Sequence, residues 1–341
     1  MKNVSSPYKV AIIINKAMAY SIFNQKDFKF LSEFAHVNAL EDLPEKMTIE
    51  FMREVLTDAD ACITCWGTPA FTDVLLEHAK KLRLIAHAAG SVKNIVPQSF
   101  WSTNCRITSN ATVIAEDVAQ TTLAFILCSL RCLWDFSRCT RSGEWSGGEA
   151  SLFTTRRLNG LQVGIIGGSS VGREVIKILK PFGCTIKLYD PYISQIEAAI
   201  LGVDLIGLDE LISTSDVLTL HAPPTETCRH IINERNAPLI KDGALFINTA
   251  RGMLVDEAAL IKELKSGRIF ACIDVTDPEP PSADHPFRTL NNVVLTPHIA
   301  GGHTINGRHM LGSNSIREIY NYLTKGLLSF EIRCEMLDHM A

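Results

Sequence analysis

Short β-branched runs alternate with helical patterns almost from end to end of this chain, and that alternation limits what it can fold into. Strands separated by helix-length segments cannot pair as tight hairpins. Each connection crosses back over a sheet face, so the strands run parallel and helices cover them. The runs form two series. Val10–Ile14, Ala61–Cys65 and Leu84–His87 make the first, with a helical stretch over Phe71–Lys81. Gln162–Ile166, Thr185–Tyr189, Val217–Leu220, Ala244–Asn248, Ala271–Val275 and Val293–Thr296 make a second, six-strand series. Two sheets suit a chain of 341 residues, a little over twice the roughly 150 of one domain. A long helix over Val118–Arg131 and an exposed arm over Arg141–Gly148 separate the series, and a helix over Gly312–Leu323 is expected to return to the first unit.

Composition removes several function classes. Apolar residues make up 46% and charged residues 21%, the profile of an ordinary folded protein. A formal charge of -4 offers no broad attraction for phosphate backbones or anionic lipid, so neither a nucleic-acid nor a membrane partner is expected. Ten cysteines lie mostly inside apolar runs without regular spacing, which reads as buried thiols in a reducing, cytoplasmic compartment. Cys62-x-x-Cys65 has no second such pair, so both are taken as packing residues and no metal is expected. The N-terminal residues run straight into a strand without a leader pattern. The longest apolar helix candidate, Val118–Trp134, carries Gln120, Thr121, Thr122, Ser129 and Arg131, which argues for burial rather than a membrane span.

The strongest local signal is Val163-Gly-Ile-Ile-Gly-Gly-Ser-Ser-Val-Gly172, a strand, a tight turn and a helix start, which resembles the Rossmann dinucleotide fingerprint. Gly167 would permit the turn and Gly172 the close packing of helix on strand, while Ser169 stands where the backbone meets a pyrophosphate. The extra side chain at Ser169 implies that the pyrophosphate sits higher or that Gly168 absorbs the distortion. Asp190 ends the next strand, in register to accept hydrogen bonds from a ribose and to favour NAD over NADP.

Three later segments place polar residues just after a β run, where open parallel sheets bind ligands. They expose Arg251, then Asp274 and Glu279, then His298. With Lys180-Pro-Phe-Gly183, Tyr189-Asp-Pro-Tyr192, Leu220-His-Ala-Pro-Pro-Thr-Glu-Thr227, Asn248-Thr-Ala-Arg-Gly252 and Thr296-Pro-His298, the chain resembles the D-isomer-specific 2-hydroxyacid dehydrogenase family over nearly all its length. The resemblance implies an α/β protein of two doubly wound parallel-sheet domains. A Rossmann NAD-binding domain, 109–305, is inserted into a flavodoxin-like substrate domain, 1–108 and 306–341, with a cleft between them that closes to exclude water.

It further implies an NAD-dependent oxidoreductase that interconverts a small 2-oxo acid and the D-2-hydroxy acid. His298 would be the general acid/base, Glu279 its carboxylate partner, and Arg251 the planar fork that holds the substrate. Gly167, Ser169, Ser170, Val171, Gly172, Asp190, Ala222, Pro223, Thr227, Thr249, Ala250, Asp274 and Gly301 would contact the cofactor. His221 is either a cofactor contact or a strand-end residue bonded to backbone. The arm with Trp134 and Trp145 resembles the family's dimerisation segment, so a homodimer is expected.

The first unit departs from the family. Where relatives carry a pattern close to Ala-Gly-x-Gly-Val-Asp-Asn-x-Asp, this chain has Ala88-Ala-Gly-Ser-Val-Lys-Asn-Ile-Val96. Gly90 and Ser91 can keep the amide role toward the substrate carboxylate. Lys93 and Val96 replace two acids, and Lys93 is either a solvent-facing lysine or a magnet for a second acidic group. Gln120 stands where relatives often have Glu. Some relatives act instead as NAD(H)-sensing corepressors that bind protein partners, which is the alternative reading.

Overall fold

The structure, a computed structural model, describes residues 8–145 and 155–339. β1 (Tyr8–Ile12) lies inside the first sheet: Val10 and Ile12 pack into one hydrophobic cluster and Ala11 into another. Both faces are covered, as in parallel sheets wrapped by helices. β1 pairs in parallel with β2 (Ala35–Val37) and β3 (Ala61–Thr64), and the ladder continues through β4 (Leu84–His87) to β5 (Arg106–Ser109). β13 (Glu331–Ile332) closes that edge antiparallel to β5. The order β13-β5-β4-β3-β1-β2 reverses between β1 and β3, which is the flavodoxin-like arrangement.

The second sheet contains β6 (Gln162–Ile166), β7 (Thr185–Tyr189), β8 (Asp204–Leu205), β9 (Val217–Leu220), β10 (Leu245–Asn248), β11 (Phe270–Ile273) and β12 (Val293–Leu295). Its order is β12-β11-β10-β9-β6-β7-β8, every pair is parallel, and the order reverses between β6 and β9. On one face Leu245 and Ile247 pack with Val163, Ile165 and Ile126; on the other, Phe246 packs with Leu218, Leu254 and Leu260. Each fully buried Leu, Ile or Phe contributes about 1.5–3 kcal/mol.

The strands divide between two compact units. One takes the described residues up to Ile114 and from Gly302 onward, the other Ala115–Gly301. The first crossing falls inside the helix Ala111–Leu130. Among the described residues this helix alone is long and apolar enough to cross a membrane by length and composition. Ala119, Phe125, Ile126 and Leu130 from it are instead buried in the second unit's core.

Several expected elements change. Each sheet is larger than its series, because β2, β5, β8 and β13 are only two to four residues long and too short to show a period. The antiparallel β13 makes the first sheet mixed rather than wholly parallel. The helix expected over Phe71–Lys81 is only Asp73–His78, because the Thr72 hydroxyl caps it by accepting from the Leu75 amide. The return helix starts earlier, at Ile305, capped by Thr304. Arg141 ends a helix from Leu133, Trp145 beyond it is exposed, and residues 146–148 of the expected arm lie outside the described residues.

Gly312 shows why the return helix packs so closely on its neighbour, since a Cβ there would run into the carbonyl oxygen of Ile22. Gly312→Ala should therefore destabilise the protein by about 1–3 kcal/mol in urea denaturation. An unchanged midpoint would contradict this close approach.

Candidate active site

The turn after β6 is built from glycines with separate jobs. Gly167 has φ +98°, and a Cβ on it would lie 2.6 Å from the Ala222 amide nitrogen at the end of the neighbouring β9. Gly172 brings the helix Ser170–Leu179 against the carbonyl of Gly167, where a side chain would collide. Gly168 is not in the left-handed region; a side chain there would run into Ile193 Cδ1. It therefore does not absorb backbone distortion caused by Ser169.

Ser169 is instead the N-cap of that helix. Its Oγ accepts from the Gly172 amide at 3.4 Å and donates to the His221 carbonyl at 2.8 Å. Its hydroxyl is thus spent inside the protein. The amides of Ser170 and Val171 follow in the first helical turn, where no intrahelical acceptor exists, and suit an anion. Asp190 Oδ2 accepts from the Gly168 amide and Oδ1 from the Tyr192 amide, both at 2.8 Å, so the carboxylate stands fixed beside the turn. An inward-turned Ser169, free helix-start amides and a fixed acid on the next strand fit an NAD pyrophosphate and ribose.

His221 follows β9 and is buried. Its Nε2 is 2.9 Å from Thr219 Oγ1 rather than bonded to backbone, Nδ1 is buried without a hydrogen-bond partner among the described residues, and burial pushes its pKa down to about 3, so the ring stays neutral. Ala222 is buried, Pro223 half-buried and Thr227 exposed, with Thr227 Oγ1 at 2.9 Å from Thr225 Oγ1.

Arg251 follows β10 on a loop held by Asn248, a buried residue the sequence reading passed over. Asn248 Oδ1 accepts from the Ala250 amide, and its Nδ2 donates to the Arg251 carbonyl, each at 3.0 Å. Arg251 Nη1 donates to the Ala250 carbonyl at 2.7 Å. Burial pushes the guanidinium below its ordinary value while the Glu279 charge opposes the fall; an arginine remains charged in either case. Thr249 is buried with its hydroxyl 3.2 Å from that of Thr122.

Asp274 differs from expectation in its burial: it is 1% exposed. Its Oδ1 accepts from the Thr296 hydroxyl at 2.5 Å and the Ile299 amide at 2.9 Å, and its Oδ2 from the Ala300 amide at 2.9 Å. The Asp274 carbonyl accepts the His298 amide at 2.8 Å. One residue thus clamps the loop on both sides of His298, whose φ of +55° is uncommon outside glycine. Over-determination of this kind is what keeps such a conformation in place. Gly301 is half-buried at the end of the loop.

The result is an exposed pair: His298 Nδ1 lies 2.9 Å from Glu279 Oε2. Nε2 has no hydrogen bond among the described residues, and no group of His, Cys, Asp and Glu among them forms a metal cluster. Arg251, Glu279 and His298 all stand beyond strand ends of one parallel sheet. Gly90 and Ser91 belong to the other unit, three and four residues after β4, where Gly90 O accepts the Ser109 hydroxyl. Lys93 is half-buried and already has an interaction partner.

Residues 123–300, just over half the chain, match the model of the D-isomer specific 2-hydroxyacid dehydrogenase NAD binding domain. A D-3-phosphoglycerate dehydrogenase of Methanocaldococcus jannaschii is 34% identical over 285 residues, covering 83% of this chain and 53% of its own length. The chain thus spans about half of that relative. A hydroxypyruvate reductase of Thermotoga maritima is 31% identical over 287 residues, covering 83% of this chain and 91% of its own. Among solved structures, the TT0316 protein of Thermus thermophilus superposes with a TM-score of 0.76 at 26% identity, covering 94% of this chain and 98% of its own. With an NAD-binding domain matched over its central half and relatives above 30% identity along most of its length, this chain belongs to the D-isomer-specific 2-hydroxyacid dehydrogenase family.

Proposed function

We propose that this chain is an NAD-dependent oxidoreductase that interconverts a small 2-oxo acid and the corresponding D-2-hydroxy acid. The observation that carries the reading is the 2.9 Å pairing of His298 with Glu279, on loops that also present Arg251. When bound, the nicotinamide supplies or accepts the hydride at the substrate's C2. Glu279 accepts a hydrogen bond from Nδ1–H of His298, which fixes the tautomer and leaves Nε2 as the exchanging nitrogen. In reduction the imidazolium donates from Nε2 to the carbonyl oxygen as it becomes an alkoxide; in oxidation neutral Nε2 takes the hydroxyl proton. Arg251, with Nη1 anchored on Ala250, offers its remaining N–H groups to the substrate carboxylate and carbonyl oxygen. The Gly90 and Ser91 amides of the first unit are assigned to a substrate carboxylate.

The dimer and the setting belong to this proposal as well. Leu133, Trp134 and Trp145 are exposed, which supports a homodimer through the segment that follows the helix Ala111–Leu130. Sedimentation should give twice the chain's 37.6 kDa, and a monomer at micromolar concentration would reject it. Ten cysteines, three of them buried, support a reducing cytoplasmic setting, which fractionation of cells would check.

The deciding experiment is NADH oxidation against a panel of 2-oxo acids. His298→Gln should lower kcat by about 10²- to 10⁴-fold while NADH binding, followed by fluorescence, persists. Full activity in this variant would sink the assignment. Glu279→Gln removes the carboxylate that orders the His298 ring, so kcat should fall, by less than in His298→Gln, while NADH binding persists. Native kcat in this variant would mean that Glu279 does not act through His298.

A further inference from the structure

The ligand-facing edge of the first unit contains a cation that its fold does not use. β3 ends in a turn over Cys65–Thr68. The Thr68 amide donates to the Cys65 carbonyl at 3.1 Å, the Cys65 amide to Thr68 Oγ1 at 3.1 Å, and the Thr68 hydroxyl to the Ile13 carbonyl at 2.8 Å. This turn pushes Trp66 outward, leaving it 38% exposed. The Cη2 edge of its six-membered ring lies against Gly302, where a Cβ would collide with Cη2 and approach Cζ2 to 3.1 Å. The Gly302 carbonyl accepts Arg308 Nε at 2.8 Å.

Arg308 is half-buried in the first turns of the helix Ile305–Lys325. Among the described residues it has no ion pair, and Nε is its only side-chain donor with a hydrogen bond. Other arginines shielded to a similar degree have acids: Arg268 pairs with Glu263 and Asp242, and Arg156 with Asp216. A partly desolvated guanidinium without a counter-ion is costly to keep, and the outer two nitrogens of Arg308 retain a fork suited to a carboxylate or phosphate. The Arg308 charge reaches the buried Cys65 thiol, which in turn is tied to the Ala88–Ser91 loop. The Cys65 thiol donates to the Ala88 carbonyl at 3.1 Å, two residues before Gly90. Burial pushes that thiol up to about 12, with the Trp66 backbone and the Arg308 charge pulling the other way.

We propose that Arg308, with Trp66 as an apolar wall beside it, is a second anion-recognising subsite of this unit, and that the substrate is a 2-oxo or 2-hydroxy acid whose side chain ends in a second acidic group. The subsite deepens the dehydrogenase reading above and rests on it. The Ala88–Ser91 loop takes the first carboxylate, the methylenes lie along the Trp66 ring, and the Arg308 fork takes the distal acid. Lys93, the cation in that loop, already has an interaction partner.

The test compares the native enzyme, Arg308→Met and Arg308→Lys on three pairs of substrates. Oxaloacetate and 2-oxoglutarate are set against 2-oxobutyrate and 2-oxovalerate, with 3-phosphohydroxypyruvate against hydroxypyruvate as the phosphate arm. The native enzyme should prefer the doubly acidic member of at least one pair, and that arm identifies the distal group as carboxylate or phosphate. Arg308→Met should reduce this kcat/KM preference by about 10- to 100-fold, mainly through KM, and Arg308→Lys should restore part of it. NADH binding and a thermal melt show whether each variant is folded. If both variants lose all substrates equally while still binding NADH, or if the preference survives in Arg308→Met, the subsite is wrong and the dehydrogenase reading stands. If the native enzyme reduces none of the panel, the dehydrogenase reading itself fails, and the subsite with it.

Discussion

Parallel pairing is the constraint on which the site depends. All seven strands of the second sheet run in one direction, so every strand delivers its C-terminal residue to the same edge. Gly167 after β6, Asp190 after β7, His221 after β9, Arg251 after β10, Asp274 after β11 and His298 after β12 come together for that reason alone. The strand order reverses between β6 and β9, the crevice at which open sheets of this kind bind ligands. Helices on both faces bury the strands and leave the loops at this edge free to carry chemistry.

Within that edge, buried polar side chains convert loops into fixed geometry. Asn248 ties both sides of the segment leading to Arg251, and Asp274 gathers a hydroxyl and two amides around His298. A buried carboxylate that accepts several hydrogen bonds offsets its desolvation, and removing it would leave those donors unpaired. The proposed catalytic groups themselves stay accessible. Glu279 and His298 are exposed, whereas the residues that hold their loops are not. Ser169 follows the same logic at the other end of the crevice, where a hydroxyl that looks obstructive in sequence is used up as a helix cap.

Much of this was legible in the residues. β6, β7 and β9 appear with their observed bounds, because continuous β-branched runs flanked by turn residues are unambiguous at that length. The Gly167 turn and the Arg251, Glu279 and His298 order were readable because each sits at a fixed offset from such a run. β8 and β13, two residues each, have no period to read, and their existence depends on a neighbouring strand that offers free backbone groups. Asp274 was legible as a residue but not in its burial, since the partners that enclose it come from twenty-two to twenty-six residues downstream.

Hydrophobic periodicity and turn chemistry are local properties, so the class of the fold, the family and the residue types at the strand ends could be read from the chain alone. Which hydroxyls, carboxylates and guanidinium groups are spent inside the protein, and which remain for a ligand, follows only from the three-dimensional packing. That distinction rests on desolvation and on partners far away along the chain. Asp274, which its place after β11 puts at the ligand edge, is buried and holds its own loop. Arg308, in helical turns that lie ahead of the Gly312–Leu323 pattern, is left with an open fork beside Trp66.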